Sequence, residues 1–176
     1  MSLSATLFGL GDPYAQFNVY IGNRPHFSEY ANLDCVNPLS AGEIYGIGQA
    51  CGNGWRKVFN VYAKLVFALN AENIVSIQGA QSWQSFRDHV LLQSSSNTSL
   101  LFSTLHIAEH KDSNIVHIIM GKTYAKSLHL PQSLRWLDHE FAIDIESKVL
   151  ICPYFDYRQL SNIKIMRLVE LIKQLS

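Results

Sequence analysis

Several short runs in this chain hold residue types that can do chemistry. His106-Ile107-Ala108-Glu109-His110 sets two histidines four residues apart, with a glutamate beside the second. On a helix that spacing puts both imidazoles on one face, where they can hold zinc while the carboxylate serves as base. Here a strand precedes the run and Lys111-Asp112-Ser113-Asn114 closes it at once, so a turn is expected and no metal site. Gly121-Lys122-Thr123 follows an apolar strand like the end of a phosphate-binding loop. That loop needs a glycine five positions earlier, where Val116 stands, so a plain strand end with Lys122 in solvent is expected. Gly46-Ile47-Gly48 with Gly52 echoes a dinucleotide fingerprint. No strand leads into it and the last glycine comes one residue late, so a flexible loop is expected and no cofactor.

The elements that position such residues follow from periodicity. Phe17 to Ile21 is a short, apolar, β-favouring run closed by Gly22 and Pro25, and it predicts a buried strand. Ala5 to Leu10 predicts a weaker one, ended by Gly11-Asp12-Pro13. Tyr30 to Gly54 holds five of the ten glycines and is expected to be loop. Trp55, Val58, Phe59, Tyr62, Leu65, Val66 and Leu69 form one helical stripe, so a helix is expected over Trp55–Leu69. A second is expected over Ser82–Leu92 with Ser82 as N-cap, then a polar loop over 94–99. Strands are expected at Leu100–Leu105, Ile115–Met120 and Val149–Cys152, with an edge strand at Phe141–Ile145. His117, inside the second of these, reads as a hydrogen-bonded core group. Helices are expected after Gly121, through Leu128, and over Asn162–Leu175 with Ser161 as N-cap. Apolar strands alternating with helices indicate one α/β domain over 1–176, with a central, mainly parallel sheet covered on both faces as a three-layer sandwich. Ligands of such sheets sit beyond the carboxyl ends of the strands, so the informative loops begin at Gly22, Gly121 and Pro153.

Composition narrows the class. With 48% hydrophobic and 16% charged residues over 176 positions, the chain has an ordinary globular make-up and is not intrinsically disordered. Fourteen basic residues balance fourteen acidic ones, so total charge announces no nucleic-acid or membrane partner. Cys35, Cys51 and Cys152 are odd in number and unpaired in spacing, which argues against a disulfide framework and suits a reducing compartment. Met1 to Pro13 has neither a basic n-region nor a long apolar run. A bacterial-type cytoplasmic protein with no membrane span is expected.

Three strand ends together resemble the uracil-DNA glycosylase superfamily. Tyr20-Ile21-Gly22-Asn23-Arg24-Pro25-His26 is similar to its first motif, Gly-x-Asp/Asn-Pro. Ile118-Ile119-Met120-Gly121-Lys122-Thr123-Tyr124-Ala125 is similar to its middle strand end, a Gly-Lys-x-Ala-like turn. Val149-Leu150-Ile151-Cys152-Pro153-Tyr154, followed by Leu160-Ser161 and a last helix, is similar to its final His-Pro-Ser element. The resemblance covers about a third of the chain. It implies a glycosylase-like fold, a cleft lined by Asn23, Arg24, His26, Pro153, Tyr154 and Asp156, and a nucleic acid or nucleobase as partner. It also implies Asn23 and His26 as catalytic candidates, with Arg24, Pro153, Tyr154, Asp156, Tyr157 and Arg158 binding substrate. An alternative alignment through Gly11-Asp12-Pro13-Tyr14 makes Asp12 the catalytic carboxylate, but it follows the weaker strand.

The departures from that family carry as much weight. Arg24 stands where the family puts a carboxylate or amide that orients water, and a cation there opposes a positively charged sugar. Cys152 replaces the histidine that donates to uracil O2, and a thiol is a weak donor. The Asp156-Tyr157-Arg158 loop fits a salt-bridged turn, or an aromatic–arginine platform on which a base can stack. The expectation is a nucleobase- or nucleic-acid-binding protein without conventional uracil excision, the alternative being an active base-excising glycosylase.

Overall fold

A computed structural model describes residues 7–72, 74–105 and 114–175. The His106–His110 run, Lys111, Asp112 and the start of the Ala5–Leu10 run lie outside the described residues.

Four apolar strands lie side by side and parallel at the centre of one sheet. They are β2 (Phe17–Tyr20), β4 (Thr98–Leu101), β5 (Val116–Met120) and β8 (Val149–Cys152). Shorter strands flank them: β1 (Gly9–Gly11), β3 (Val36–Asn37), β6 (Arg135–Trp136) and β7 (Ala142–Asp144). The order is β3-β1-β4-β2-β5-β8-β7-β6. β1 runs antiparallel to β4, and β7 and β6 run antiparallel to their inner neighbours. The sheet is therefore mixed, with a parallel centre. Phe141–Ile145 does not supply an edge strand, because Arg135–Trp136 pairs outside β7.

Register stacks residues in rows across the strands. Leu100, Val19, Ile118 and Leu150 stand abreast, each fully buried. The row beside it, Ser99, Asn18 and His117, points to the opposite face because side chains alternate along a strand. Its polar groups are paired: Ser99 Oγ donates to Asn18 Oδ1 at 2.6 Å, and Tyr20 Oη lies 2.8 Å from His117 Nδ1. Burial pushes the Tyr20 hydroxyl far above its ordinary pKa, so it stays protonated. His117 is the hydrogen-bonded core group its strand position suggests.

One face of the sheet carries the main core. The long helix α3 (Asn53–Asn70) lays its whole stripe there, and all seven stripe residues are buried. Each large apolar side chain so buried contributes roughly 1.5–3 kcal/mol. A polar tip in the stripe, Tyr62 Oη, donates to the Ser99 carbonyl at 2.8 Å. α4 (Trp83–His89) and α6 (Asn162–Lys173) join the same core. Ser82 caps α4, accepting from Ser85 N, whereas the Ser161 side chain makes no cap bond on α6. On the other face Tyr20, Ile119 and Ile151 pack with Ala125 of the short α5 (Lys122–Lys126) and with Leu128, Leu130 and Leu134.

Two expected loops are ordered differently. The glycine-rich stretch contains α1 (Ser28–Ala31) and α2 (Glu43–Cys51), so Gly46 and Gly48 are helical and not in a loop. Glycine lowers helix propensity, but tertiary packing overrides it: Ile44 and Ile47 are buried, and a Cβ on Gly48 would come within 2.5 Å of Arg56 Cγ. Thr98 and Ser99 read as loop by polarity yet begin β4, because Thr98 Oγ1 accepts Leu92 N–H at 3.0 Å and Ser99 bonds Asn18.

Candidate binding site

β2, β5 and β8 run parallel, so their carboxyl ends open on the same side of the sheet. The chain leaves them at Gly22, Gly121 and Pro153. These three turns line one cleft of about 760 Å³. Asn23 comes from the first turn, Lys122, Thr123 and Tyr124 from the second, and Tyr154, Arg158 and Gln159 from the third. Lys164 of α6 and His139-Glu140 close its far side.

Each turn has a local cause. Gly121 has φ +95°, a left-handed value that favours glycine, and so the strand can turn directly into α5. Gly22 is required for space instead: a Cβ there would sit 2.9 Å from the Tyr124 ring. The Tyr124 ring therefore lies against the Gly22 backbone. Pro153 is buried and ends β8, where the missing N–H stops the ladder.

Tyr154 Oη donates to Asn23 Oδ1 at 3.3 Å and ties the first turn to the third. Burial raises the Tyr154 hydroxyl pKa, while the bond to Asn23 opposes the rise. Burial raises Tyr124 as well. Both phenols are neutral donors at ordinary pH. Lys164 Nζ holds Glu140 Oε1 at 2.7 Å, with His139 Nε2 at 3.8 Å from the same oxygen. Lys122 Nζ lies 5.3 Å from the Trp136 ring centre. It is half-buried at the cleft, not simply in solvent as its strand-end position suggests. The lining thus combines two half-buried phenol rings, two carboxamides (Asn23 and Gln159) and several cations around a single carboxylate.

Four of the nine residues singled out from sequence line this cleft: Asn23, Pro153, Tyr154 and Arg158. Arg24 does not. Its Nη1 donates to the Ala31 carbonyl at 2.8 Å, and its guanidinium lies 4.6 Å from the Phe8 ring centre. It closes the end of α1, so its charge is held outside the cleft. His26 is exposed and outside the lining. Asp156 is buried beside the cleft. Arg158 hydrogen-bonds it through side chain and backbone, Lys57 adds a second cation, and together they hold its carboxyl down at about 2. It is the salt-bridged turn. Tyr157 is exposed on the other side of that loop, against Lys57.

Asp12 lies at the amino end of β2. Its carboxylate accepts Tyr14 N–H at 2.9 Å and Asn97 N–H at 3.0 Å, pinning two loops, and it borders a separate hollow of about 310 Å³. Asp12 and Pro153 thus stand at opposite ends of the parallel strands. Cys152 is fully buried among the core side chains, and burial raises its thiol pKa strongly. Sequence reasoning missed Tyr124, His139, Glu140 and Lys164. The strand-end rule that selected Gly121 already pointed to Tyr124, three residues on.

A mixed sheet with a parallel centre, carrying a polar, aromatic cleft at its carboxyl side, defines an α/β protein whose cleft lies where ligands of such sheets sit. By sequence the chain belongs to DUF6942, a family of unknown function whose model matches residues 8–173. No curated protein and no solved structure matches the chain. Among the described residues no helix is long and apolar enough to cross a membrane.

Proposed function

We propose that the chain is a three-layer, uracil-DNA glycosylase-like scaffold that binds a nucleobase in this cleft without conventional uracil excision. The observation that carries the reading is the Tyr154–Asn23 bond at the mouth of a cleft that also holds Tyr124. Two phenol rings offer stacking faces. A carboxamide offers both donors and an acceptor to a base edge. The resemblance in sequence implies these three turns as a binding site, which supports a base over another flat polar ligand.

Excision needs a preorganised donor to the leaving base, and losing one costs about 10²–10³ in rate. Cys152 offers only a buried, protonated thiol at that place. The Asp12 alignment loses its support, since that carboxylate is committed to backbone amides at the other end of the strands.

Two measurements test the reading. Thermal unfolding with uridine, thymidine and adenosine should show stabilisation by at least one nucleoside, growing with concentration as binding to the native state requires. A gel assay on uracil-containing single- and double-stranded oligonucleotides should show no cleavage. No response to any nucleoside would overturn the binding reading. Robust excision that fails in Asn23→Ala would make the protein an enzyme with Asn23 orienting the water.

A further inference from the structure

The outward face of α3 differs in charge from the rest of this neutral chain. The helix contains Arg56, Lys57 and Lys64 and no acidic residue. Arg56, Lys57, Asn60 and Lys64, with Tyr157, line a shallow groove of about 210 Å³ along it. Arg87 reaches over from α4 and donates to Asn60 Oδ1 at 2.7 Å. Two aromatic rings are set among these cations. Tyr157, 56% exposed, has Lys57 Nζ at 5.3 Å from its ring centre and the Arg158 guanidinium at 6.0 Å. Trp83 has Lys64 Nζ at 5.0 Å and the Arg87 guanidinium at 5.4 Å.

The carboxylates nearby are few. Asp88 pairs with Arg87, and Asp156 is shared between Lys57 and Arg158. Arg56 and Lys64 have no ion pair among the described residues. Five cations on this face thus meet two carboxylates, and positive potential accumulates on one side of a chain whose total is zero.

The groove joins the cleft through one loop. Tyr154 and Arg158 line the cleft, and Tyr157 between them lines the groove. Arg56 to Lys64 spans about 12 Å of helix axis at ~1.5 Å per residue, the length of three to four stacked nucleotides at ~3.4 Å each.

We propose that this face of α3, with Tyr157 at its end, carries the sugar–phosphate backbone of a single-stranded nucleic acid toward the cleft. The inference rests on the nucleobase reading of that cleft and adds the polymer to it. Arg56 and Lys57, Arg87 at Asn60 one turn on, and Lys64 a further turn on suit phosphates along a strand, and an exposed phenol suits a base whose faces are open, as they are in a single strand. An acidic protein would satisfy the cations but would make no use of the aromatic rings.

The test is fluorescence anisotropy of a labelled twelve-nucleotide oligo-dT with the full chain over a series of salt concentrations. The wild-type protein should bind with an affinity that falls steeply with salt. Arg56→Gln with Lys64→Gln should weaken binding about tenfold at low salt and flatten the log–log salt slope by about 1.4, the value for two phosphate contacts on a single strand. Lys126→Gln, an exposed cation on the opposite face, should leave both unchanged. Thermal unfolding of each variant confirms that it is folded. Unchanged affinity and slope in the double variant would overturn the inference, as would absence of oligonucleotide binding by the wild type. Binding of poly-glutamate as tight as that of oligo-dT would overturn it in favour of an acidic protein partner. Nucleoside binding separates the two readings. It should survive the double variant. Oligonucleotide binding that depends on Arg56 and Lys64 without any nucleoside binding would remove the cleft reading and keep the track.

Discussion

The Tyr154 hydroxyl donates to Asn23 Oδ1 at 3.3 Å, across 131 positions of sequence. The bond joins two loops that no backbone ladder connects beyond the strand ends. Tyr154→Phe keeps the ring and removes the donor, leaving a carboxamide that water can satisfy. Chemical denaturation should show a loss of about 0.5–1.5 kcal/mol, the net value of one such bond. Nucleoside affinity should fall as the two loops part. An unchanged affinity would mean that the pair only holds the fold.

Gly22 and Tyr124 make a second such pair. A methyl at position 22 would meet the Tyr124 ring at 2.9 Å. Gly22→Ala should therefore displace the ring and cost roughly 1–3 kcal/mol. In Gly22→Ala with Tyr124→Ala the collision disappears. A double-mutant cycle should return a coupling of about 0.5–3 kcal/mol, with the pair of changes costing less than their sum. Simple additivity would show that the ring yields freely.

Gly11 bears a heavier constraint. Its φ is +125°, and a Cβ would lie 2.4 Å from the Thr98 carbonyl oxygen, which is backbone and cannot swing aside. Gly11→Ala should cost more than about 2 kcal/mol. Leu65→Ala, which removes a fully buried side chain from the α3 stripe, should cost about 2–5 kcal/mol. Urea unfolding midpoints measure both. A change near zero at either would contradict the packing described.

Asp156 should show its charge in the acid limb of stability. Its carboxyl lies at about 2 in the folded chain, against an ordinary 3.8. A depressed acid stabilises the fold above its unfolded pKa and loses that contribution as pH falls through the folded value. Asp156→Asn should therefore be less stable than wild type at pH 6. The gap should narrow from about pH 4 downward and close near pH 2. A gap that stays constant down to pH 2 would mean that the carboxylate's charge is not what the loop uses.

What the sequence revealed and withheld follows from the range of the forces involved. Val149–Cys152 and the Trp55–Leu69 stripe were legible because burial imposes a period on residues close in sequence. The cleft was legible as three strand ends, since parallel strands put their carboxyl ends together. Arg24 was not, because its place is decided by the carbonyls of α1 and the faces of Phe8 and Phe102, which no local pattern announces. α2 was hidden by Gly46 and Gly48, and the smallness of Gly48 serves its approach to Arg56 and not a turn. β3 and β6, two residues each, are too short to carry a period.

The position of β2 also sets a timetable. It is synthesised early, yet it sits between β4 and β5, whose matching residues begin at Thr98 and Val116 against its Phe17. Its two neighbours thus emerge about 80 and 100 residues later. At roughly 5–20 residues per second, a ribosome exposes this apolar strand for about 5–20 s before both partners exist. Through that interval α3 is a large apolar surface already made that can shelter it. The helix that later covers the finished sheet is therefore in place to act first as a temporary cover for its central strand.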